Sequence, residues 1–369
     1  MTSEPSAVTV VAEQLRRRVP GGIGTYCHGL LLGLRSIPGA ERPPITLLAS
    51  RSRSSTDPLG ELGWPLRTSP LPAPLVTRMW ERGLAGGVRP VSPGVLHATS
   101  LAAPPPGKDP LVVTVHDLAW RRFPEAYPRR GRRWHEAALR RAASQAALFV
   151  VPSELTAVEL VSSDLGIGRE RVRVVEHGVD HLAVPDLDAA SAVLRRLGLD
   201  PGEGYLLSLS TLEPRKNLSR LIAGYTAVRG ELDRPWPLVV VGPEGWGTGL
   251  SASPGVLLAG KVSGGALSGL LSMARCMAYV PLLEGFGLPV AEAMALGAPV
   301  VASTGLPASA GAAREVDPLD PAAIGAALLQ VSTDGPEREQ LVESGRRRAA
   351  SLSWTASARR HIDAWREAG

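Results

Sequence analysis

The feature that most restricts the fold of this 369-residue chain is an alternation: short runs of β-branched and aliphatic residues, each followed by a stretch with helical spacing. Strand then helix, repeated, is the pattern of parallel sheets covered by helices. A first series of strands is predicted at residues 6–12, 44–50, 94–100, 111–115, 147–151 and 171–175, and a second at 205–210, 237–242, 255–260, 276–280 and 298–303. Two series imply two α/β sheets, in keeping with a length beyond what one core usually organises. The segment 176–204, polar and rich in Asp, Pro and Gly, reads as the linker and sets the boundary near 182, dividing 1–182 from 183–352. A last helix is predicted after Leu352, with Ser353 as N-cap and Trp354, Ile362 and Trp365 on one side, an apolar stripe that must pack on something. Residues 56–75 and 104–106 read as long surface loops.

Composition narrows the class. With 44% hydrophobic and 20% charged residues the chain is globular, and no apolar run approaches bilayer length. The start MTSEPSAVTVVAEQ has no basic region ahead of an apolar stretch, so a cytoplasmic protein is expected, with Cys27 and Cys276 as free thiols. The net charge of +5 is concentrated in 121–141, where eight Arg face only Glu125 and Glu136. No nucleic-acid recognition motif accompanies this run, and nucleic acid is not expected as a partner. Two readings remain for Arg129, Arg130, Arg132 and Arg133: a solvated helix face, or a docking site for an anionic lipid or phosphorylated acceptor at a membrane surface.

In open parallel sheets ligands bind beyond the carboxyl ends of the strands. Four such positions carry chemistry. After the first strand, VPGGIGTYCHGL places Gly21, Gly22 and Gly24 ahead of a helix expected from about Thr25; they either admit a diphosphate to the helix end or only form a tight turn. A dinucleotide fingerprint would need glycine where Cys27 stands. After 111–115 come His116 and Asp117: the imidazole can donate into a cleft, and is equally a buried histidine satisfied by backbone.

After 205–210, STLEPRKNLSRLI offers Arg215, a planar fork, and Lys216, a mobile point charge, ahead of a helix from about Asn217. Two cations at a helix amino end oppose the macrodipole unless an anion lies between them, which weighs against a plain surface salt bridge. The fourth position, YVPLLEGFGLPVAEAMALGAPVVAS, has Glu284 in a glycine loop, Pro289 at the first helical position and Glu292 just beyond the first turn. Glu292 can accept from vicinal ribose hydroxyls and Glu284 from a sugar hydroxyl; singly, each is also accounted for as an acid near a helix start.

The segment EGFGLPVAEAMALG resembles the E-x7-E signature of retaining glycosyltransferase family 4, with Glu284 and Glu292 at its acidic positions. TLEPRKNLSRLI, VHDLAWRRFPEAYP, VVPSELTAVEL and HGVD are similar to the family's other landmarks in order and spacing, and EPRKN, HDL and FPEAYP point to a mannosyltransferase-like branch. The resemblance implies a GT-B fold: two Rossmann-like domains facing across a cleft, the final helix 353–369 returning to the first, the donor on the second and the acceptor on the first. It further implies that Arg215 and Lys216 hold the diphosphate, that Gly22 and Gly24 close over it, and that Glu292 binds ribose. Glu284 and His116 would touch the transferred sugar, with the backbone of Gly285, Phe286, Gly287 and Leu288 around the donor. No metal or other cofactor is expected.

Three positions depart from the family pattern: Pro281-Leu282-Leu283 is apolar, Ser210 stands for glycine, and Ala308 stands for an acid. The implied reaction moves a hexose, with mannose from GDP-mannose favoured, to a glycan, lipid-linked or small-molecule acceptor, in the cytoplasm with peripheral contact at the inner membrane surface. The rival readings are a sugar-nucleotide epimerase or hydrolase of the same fold, and a non-catalytic membrane-surface partner subunit.

Overall fold

The computed structural model describes residues 7–52, 57–232, 234–243 and 253–369; residue 6 of the first predicted strand and residue 56 of the predicted loop lie outside them. The chain divides into two compact units, Met1–His181 with Ser353–Gly369, and Leu182–Leu352.

In the first unit seven parallel strands, β1 (Val8–Val11), β2 (Ile45–Ala49), β3 (Leu66–Thr68), β4 (Val95–Ala98), β5 (Leu111–Thr114), β6 (Ala146–Val151) and β7 (Val172–Val174), lie in the order β3-β2-β1-β4-β5-β6-β7. In the second, β8 (Leu206–Leu209), β9 (Leu238–Val241), β10 (Val256–Gly260), β11 (Cys276–Tyr279), β12 (Val300–Ser303) and β13 (Arg314–Val316) lie in the order β10-β9-β8-β11-β12-β13. Strands such as β4, β5, β8 and β11 are buried at every residue, as covering both faces of a parallel sheet requires. The order reverses direction between β1 and β4 and between β8 and β11, and such reversals open a crevice at the strand ends.

Three local expectations need correction. The segment read as a loop from 56 to 75 contains β3 and the start of the helix Ala73–Glu81, which buries Val76 and Trp80. The segment read as a linker contains the helix Leu187–Arg196, capped by Asp186. The first helix runs Gly21–Arg35, starting four residues before Thr25. Gly21 there takes a left-handed φ of 60°, and a Cβ at Gly24 would lie 2.3 Å from the Pro20 Cβ, so these glycines serve the turn itself; at Gly22 a Cβ would meet nothing within 4 Å.

The final helix, Trp354–Ala368, is capped by Ser353 and buries Trp354, Ile362 and Trp365. Its receiving surface is the first helix: a Cβ on Gly29 would lie 2.0 Å from the Trp354 ring, and one on Gly33 2.1 Å from the Trp354 carbonyl. Asp180 accepts from the Trp354 amide at 2.7 Å, so the D of HGVD caps this helix.

Beneath that contact runs a chain of polar groups whose direction follows from one fixed acceptor. The carbonyl of Ser357 accepts from Nδ1 of His361 at 2.8 Å, so Nε2 of the neutral ring must accept from the Tyr26 hydroxyl at 2.8 Å. Tyr26 then accepts from Thr114 at 2.8 Å, and Thr114 from Nε2 of His97 at 2.9 Å. Nδ1 of His97 is left as a buried lone pair with no partner among the described residues. Burial lowers both imidazoles, His361 to about 4.

A histidine neutral in the fold and protonated when unfolded stabilises fully above its ordinary value of about 6.5 and loses that contribution as pH falls toward the folded value. For His361 the interval is worth about 3 kcal/mol. The urea midpoint is therefore expected to drop between pH 7.5 and 4.5, and His361→Gln should flatten the drop; equal wild-type midpoints at the two pH values would contradict this account.

Candidate active site

The second unit's reversal point gathers residues from two loops 60 to 70 positions apart. After β8, Pro214–Lys216 forms one 3-10 turn and Asn217 takes a left-handed φ of 60°, a conformation Asn tolerates better than most residues. The Asn217 side-chain amide donates to the carbonyls of Val280 at 2.9 Å and Pro318 at 2.7 Å, tying the loop to the end of β11. The amide of Leu282 donates to the Arg215 carbonyl at 2.9 Å. The backbones on either side of the site are thus fixed to each other before any side chain is considered.

Three donors converge on Oε1 of Glu284: Arg215 Nη1 at 2.7 Å, Lys216 Nζ, and the Tyr279 hydroxyl at 2.9 Å. Lys216 also donates to the Tyr279 oxygen at 2.7 Å, and Arg215 to the Leu283 carbonyl at 3.0 Å. The side chains of Arg215, Lys216 and Glu284 are only 12–14% exposed, so two cations share one carboxylate with little water to screen them. Burial alone would raise the Glu284 pKa; Arg215 and Lys216 outweigh it and bring it down to about 2. Burial and the neighbouring Glu284 charge push the Tyr279 phenol well up, so it stays a neutral donor.

The sequence reading sent Glu284 to a sugar and the cations to a diphosphate. The structure joins them to one another, and Glu284 is the anion that two cations at a helix start demand. Tyr279 and Asn217 were not anticipated. The only sequence signal for either is the strand-end aromatic and the Asn ahead of a helix.

Glu292 is the fifth residue of the helix Leu288–Ala295 and is 9% exposed. Pro289 is the second residue of that helix, one later than expected. Gly287 caps it with φ 99°, and a Cβ there would lie 2.3 Å from Leu306, so this loop glycine is required twice over. Phe286 and Leu288 bury their side chains, and the Phe286 carbonyl accepts from the Ala308 amide at 2.8 Å, leaving that loop to offer backbone rather than side chains. Ala308 is fully buried and its own carbonyl accepts from Arg348, which gives a physical reason for a small residue there.

In the first unit His116 is half-buried, and its Nε2 donates to the Thr99 carbonyl at 2.9 Å. Burial lowers its pKa and favours the neutral ring, which presents Nδ1 as an acceptor; of the two readings left open for His116, the contact to Thr99 matches the histidine satisfied by backbone. Asp117 accepts from the Ala119 amide at 3.0 Å, a turn that leads into the short helix Ala119–Arg122. Arg129, Arg130 and Arg133 are exposed and Arg132 is half-buried, all on the helix Arg129–Gln145. Among the described residues no three His, Cys, Asp or Glu side chains are placed to hold a metal ion, and no helix is long and apolar enough to cross a membrane.

Two family models match the chain: Glycosyltransferase Family 4 over residues 20–181, and Glycosyl transferases group 1 over 192–348. The chain is 29% identical to O-antigen chain mannosyltransferase B of Escherichia coli, over 69% of this chain and 70% of that protein. It is 30% identical to the MMP alpha-(1->4)-mannosyltransferase of Mycolicibacterium hassiacum, over 70% of this chain and 66% of that protein. It spans about a quarter of the length of the WbdA mannosyltransferases it matches. Among solved structures, Anabaena Alr3699/HepE in complex with UDP and glucose shares the fold at a TM-score of 0.71 and 16% identity, covering 97% of this chain and 98% of that one. The two matched halves, the two parallel sheets and the returning helix together make this chain a GT-B-fold member of glycosyltransferase family 4.

Proposed function

We propose that the chain transfers a hexose, with mannose favoured, from a nucleoside diphosphate sugar to a glycan, lipid-linked or small-molecule acceptor, with retention at the anomeric carbon. The observation that carries this is the convergence of two buried cations, Arg215 and Lys216, on one oxygen of Glu284 at the strand-end crevice. A diphosphate is the anion that completes such a site. When it enters, the cations pass to the phosphate oxygens and Glu284 turns to a hydroxyl of the sugar, while Glu292 takes the ribose hydroxyls. The bond from anomeric carbon to phosphate oxygen then breaks as the acceptor oxygen bonds on the same face, and the acceptor proton goes to the departing phosphate. Charge grows on that phosphate, so the cations are worth most in the transition state.

Mannose as the transferred sugar is supported by the names of the two relatives above, and GDP-mannose as its donor follows from the mannosyltransferase-like motifs of the sequence. The first unit supplies the acceptor side. A cytoplasmic location with peripheral membrane contact fits the basic run at 121–141 and the two buried free thiols.

The cation pair takes the part a divalent ion has elsewhere, so binding should not need metal. In EDTA, GDP-mannose at about 100 times its Kd is expected to stabilise the protein by about 3 kcal/mol, read as a thermal shift. A shift with none of the GDP-, UDP- or dTDP-sugars until magnesium or manganese is added would overturn the metal-free reading.

A further inference from the structure

Just beyond the end of β5, Trp120, Arg121, Arg132, Arg133, Glu136 and Arg140 line a groove of about 440 Å³. Residues 132, 133, 136 and 140 recur at helical spacing, so the helix Arg129–Gln145 forms one wall, and Trp120 with Arg121 of the short helix Ala119–Arg122 forms the other. Trp120 is held from behind by the His135 ring, stacked at 4.8 Å.

The charges are arranged unequally. Glu136 binds Arg121 at 2.7 Å and Arg140 at 3.0 Å, and Arg121 also reaches Asp164 at 3.2 Å. One acid therefore holds two guanidinium groups in place, while Arg132 and Arg133 have no ion pair among the described residues. The groove carries four Arg against one Glu. Arg121 commits its fork to Glu136 and Asp164, and Arg140 one edge to Glu136, so the guanidinium groups open to an anion are those of Arg132 and Arg133, with the paired Arg121 on the wall opposite them.

We propose that this groove binds a phosphomonoester or diphosphate group, the anionic end of the acceptor. The acceptor assignment rests on the transferase reading above; the binding site does not. Two guanidinium groups without an ion pair among the described residues, those of Arg132 and Arg133 on adjacent positions of one helix wall, suit a multiply charged phosphate better than a single carboxylate. At about 30 Å³ per water the groove has room for roughly fifteen waters, enough for a phosphate and part of the group that bears it. The Trp120 side offers that group an apolar surface. Arg129 and Arg130, singled out in the sequence, lie outside the lining; Arg121 and Arg140 replace them.

Inorganic pyrophosphate, titrated calorimetrically into full-length R215Q/K216Q/E284Q protein, in which the donor cations are gone and no buried carboxylate is left unpartnered, is the probe. Binding is expected, weakening at least tenfold when R132Q/R133Q is added and partly kept with R132K/R133K. The R132Q/R133Q protein should keep the wild-type thermal shift with GDP-mannose, which shows it folded and separates this proposal from the donor assignment.

Phosphatidylcholine vesicles carrying phosphatidic acid, or phosphatidylserine at matched surface charge, distinguish the sources. A preference for phosphatidic acid, competed by pyrophosphate, places the phosphate on a lipid; pyrophosphate binding without vesicle preference places it on a soluble acceptor. No pyrophosphate binding, or binding indifferent to R132Q/R133Q, would overturn the proposal. So would equal, Arg132/Arg133-dependent capture by both vesicles, which marks a generic basic surface.

Discussion

Replacing Arg215 and Lys216 together by Gln is expected to lower turnover of the donor by at least about 10³-fold, because each cation stabilises charge that appears on the leaving phosphate, and removing one such group typically costs about 10²–10³-fold. The same change strips the buried Glu284 of its two charge partners, which costs roughly 3–5 kcal/mol in comparable sites. Stability and catalysis can be told apart with the triple variant R215Q/K216Q/E284Q, which has no buried charge left uncompensated. Its melting temperature should recover toward wild type while its activity stays lost. If activity returned with stability, the cations would be structural.

Glu284→Gln carries an expectation of opposite signs. In the unliganded protein the Glu284 carboxylate stands where Arg215 and Lys216 meet, so a diphosphate must win both cations from it. Two unit charges about 4 Å apart at an effective dielectric near 20 interact by about 4 kcal/mol, of which rearrangement returns most. Nucleoside diphosphate is therefore expected to bind about five- to tenfold more tightly to E284Q, a gain on the order of 1 kcal/mol. Turnover should fall by about 10²-fold, since the amide cannot accept from the sugar hydroxyl as a carboxylate does. Calorimetry with GDP and UDP, set beside donor turnover, measures both. Loss of nucleotide affinity in step with turnover would show that Glu284 holds the nucleotide directly rather than competing with it.

What could be read in advance followed the range of the interactions involved. The central strands announce themselves because burial on both faces makes them continuous apolar runs: YLLSLS and CMAYV could be placed to within a residue or two of β8 and β11. The edge strands β3 and β13, reading LRT and REV, have three residues each and no such run, so nothing local distinguishes them from loop. Gly21 to Gly24 read as loop because glycine is poor in helices, yet Pro20 and the left-handed Gly21 start the helix there. The apolar stripe of the last helix was visible; the Gly29 and Gly33 surface that receives Trp354 was not, being some 320 positions away.

The same limit applies to the site. Arg215, Lys216, Glu284 and Glu292 stand out as charged residues at strand ends, but nothing in a linear reading says that one carboxylate is shared by both cations. Nor could it show Tyr279 between Lys216 and Glu284, since a tyrosine closing an apolar strand reads as core. The histidine direction was beyond reach for a related reason. Whether His116 gives or receives depends on the Thr99 carbonyl, on a different strand end.

The most direct test of the central claim needs no acceptor. Wild-type protein incubated with GDP-mannose, with UDP- and dTDP-sugars in parallel, is followed by proton NMR of the anomeric signals during slow hydrolysis. The account predicts free mannose released first as the α anomer, the configuration of the donor, at a rate at least about 10³-fold above that of R215Q/K216Q. Release of the β anomer first, or release from every donor at the same rate in both proteins, would contradict it.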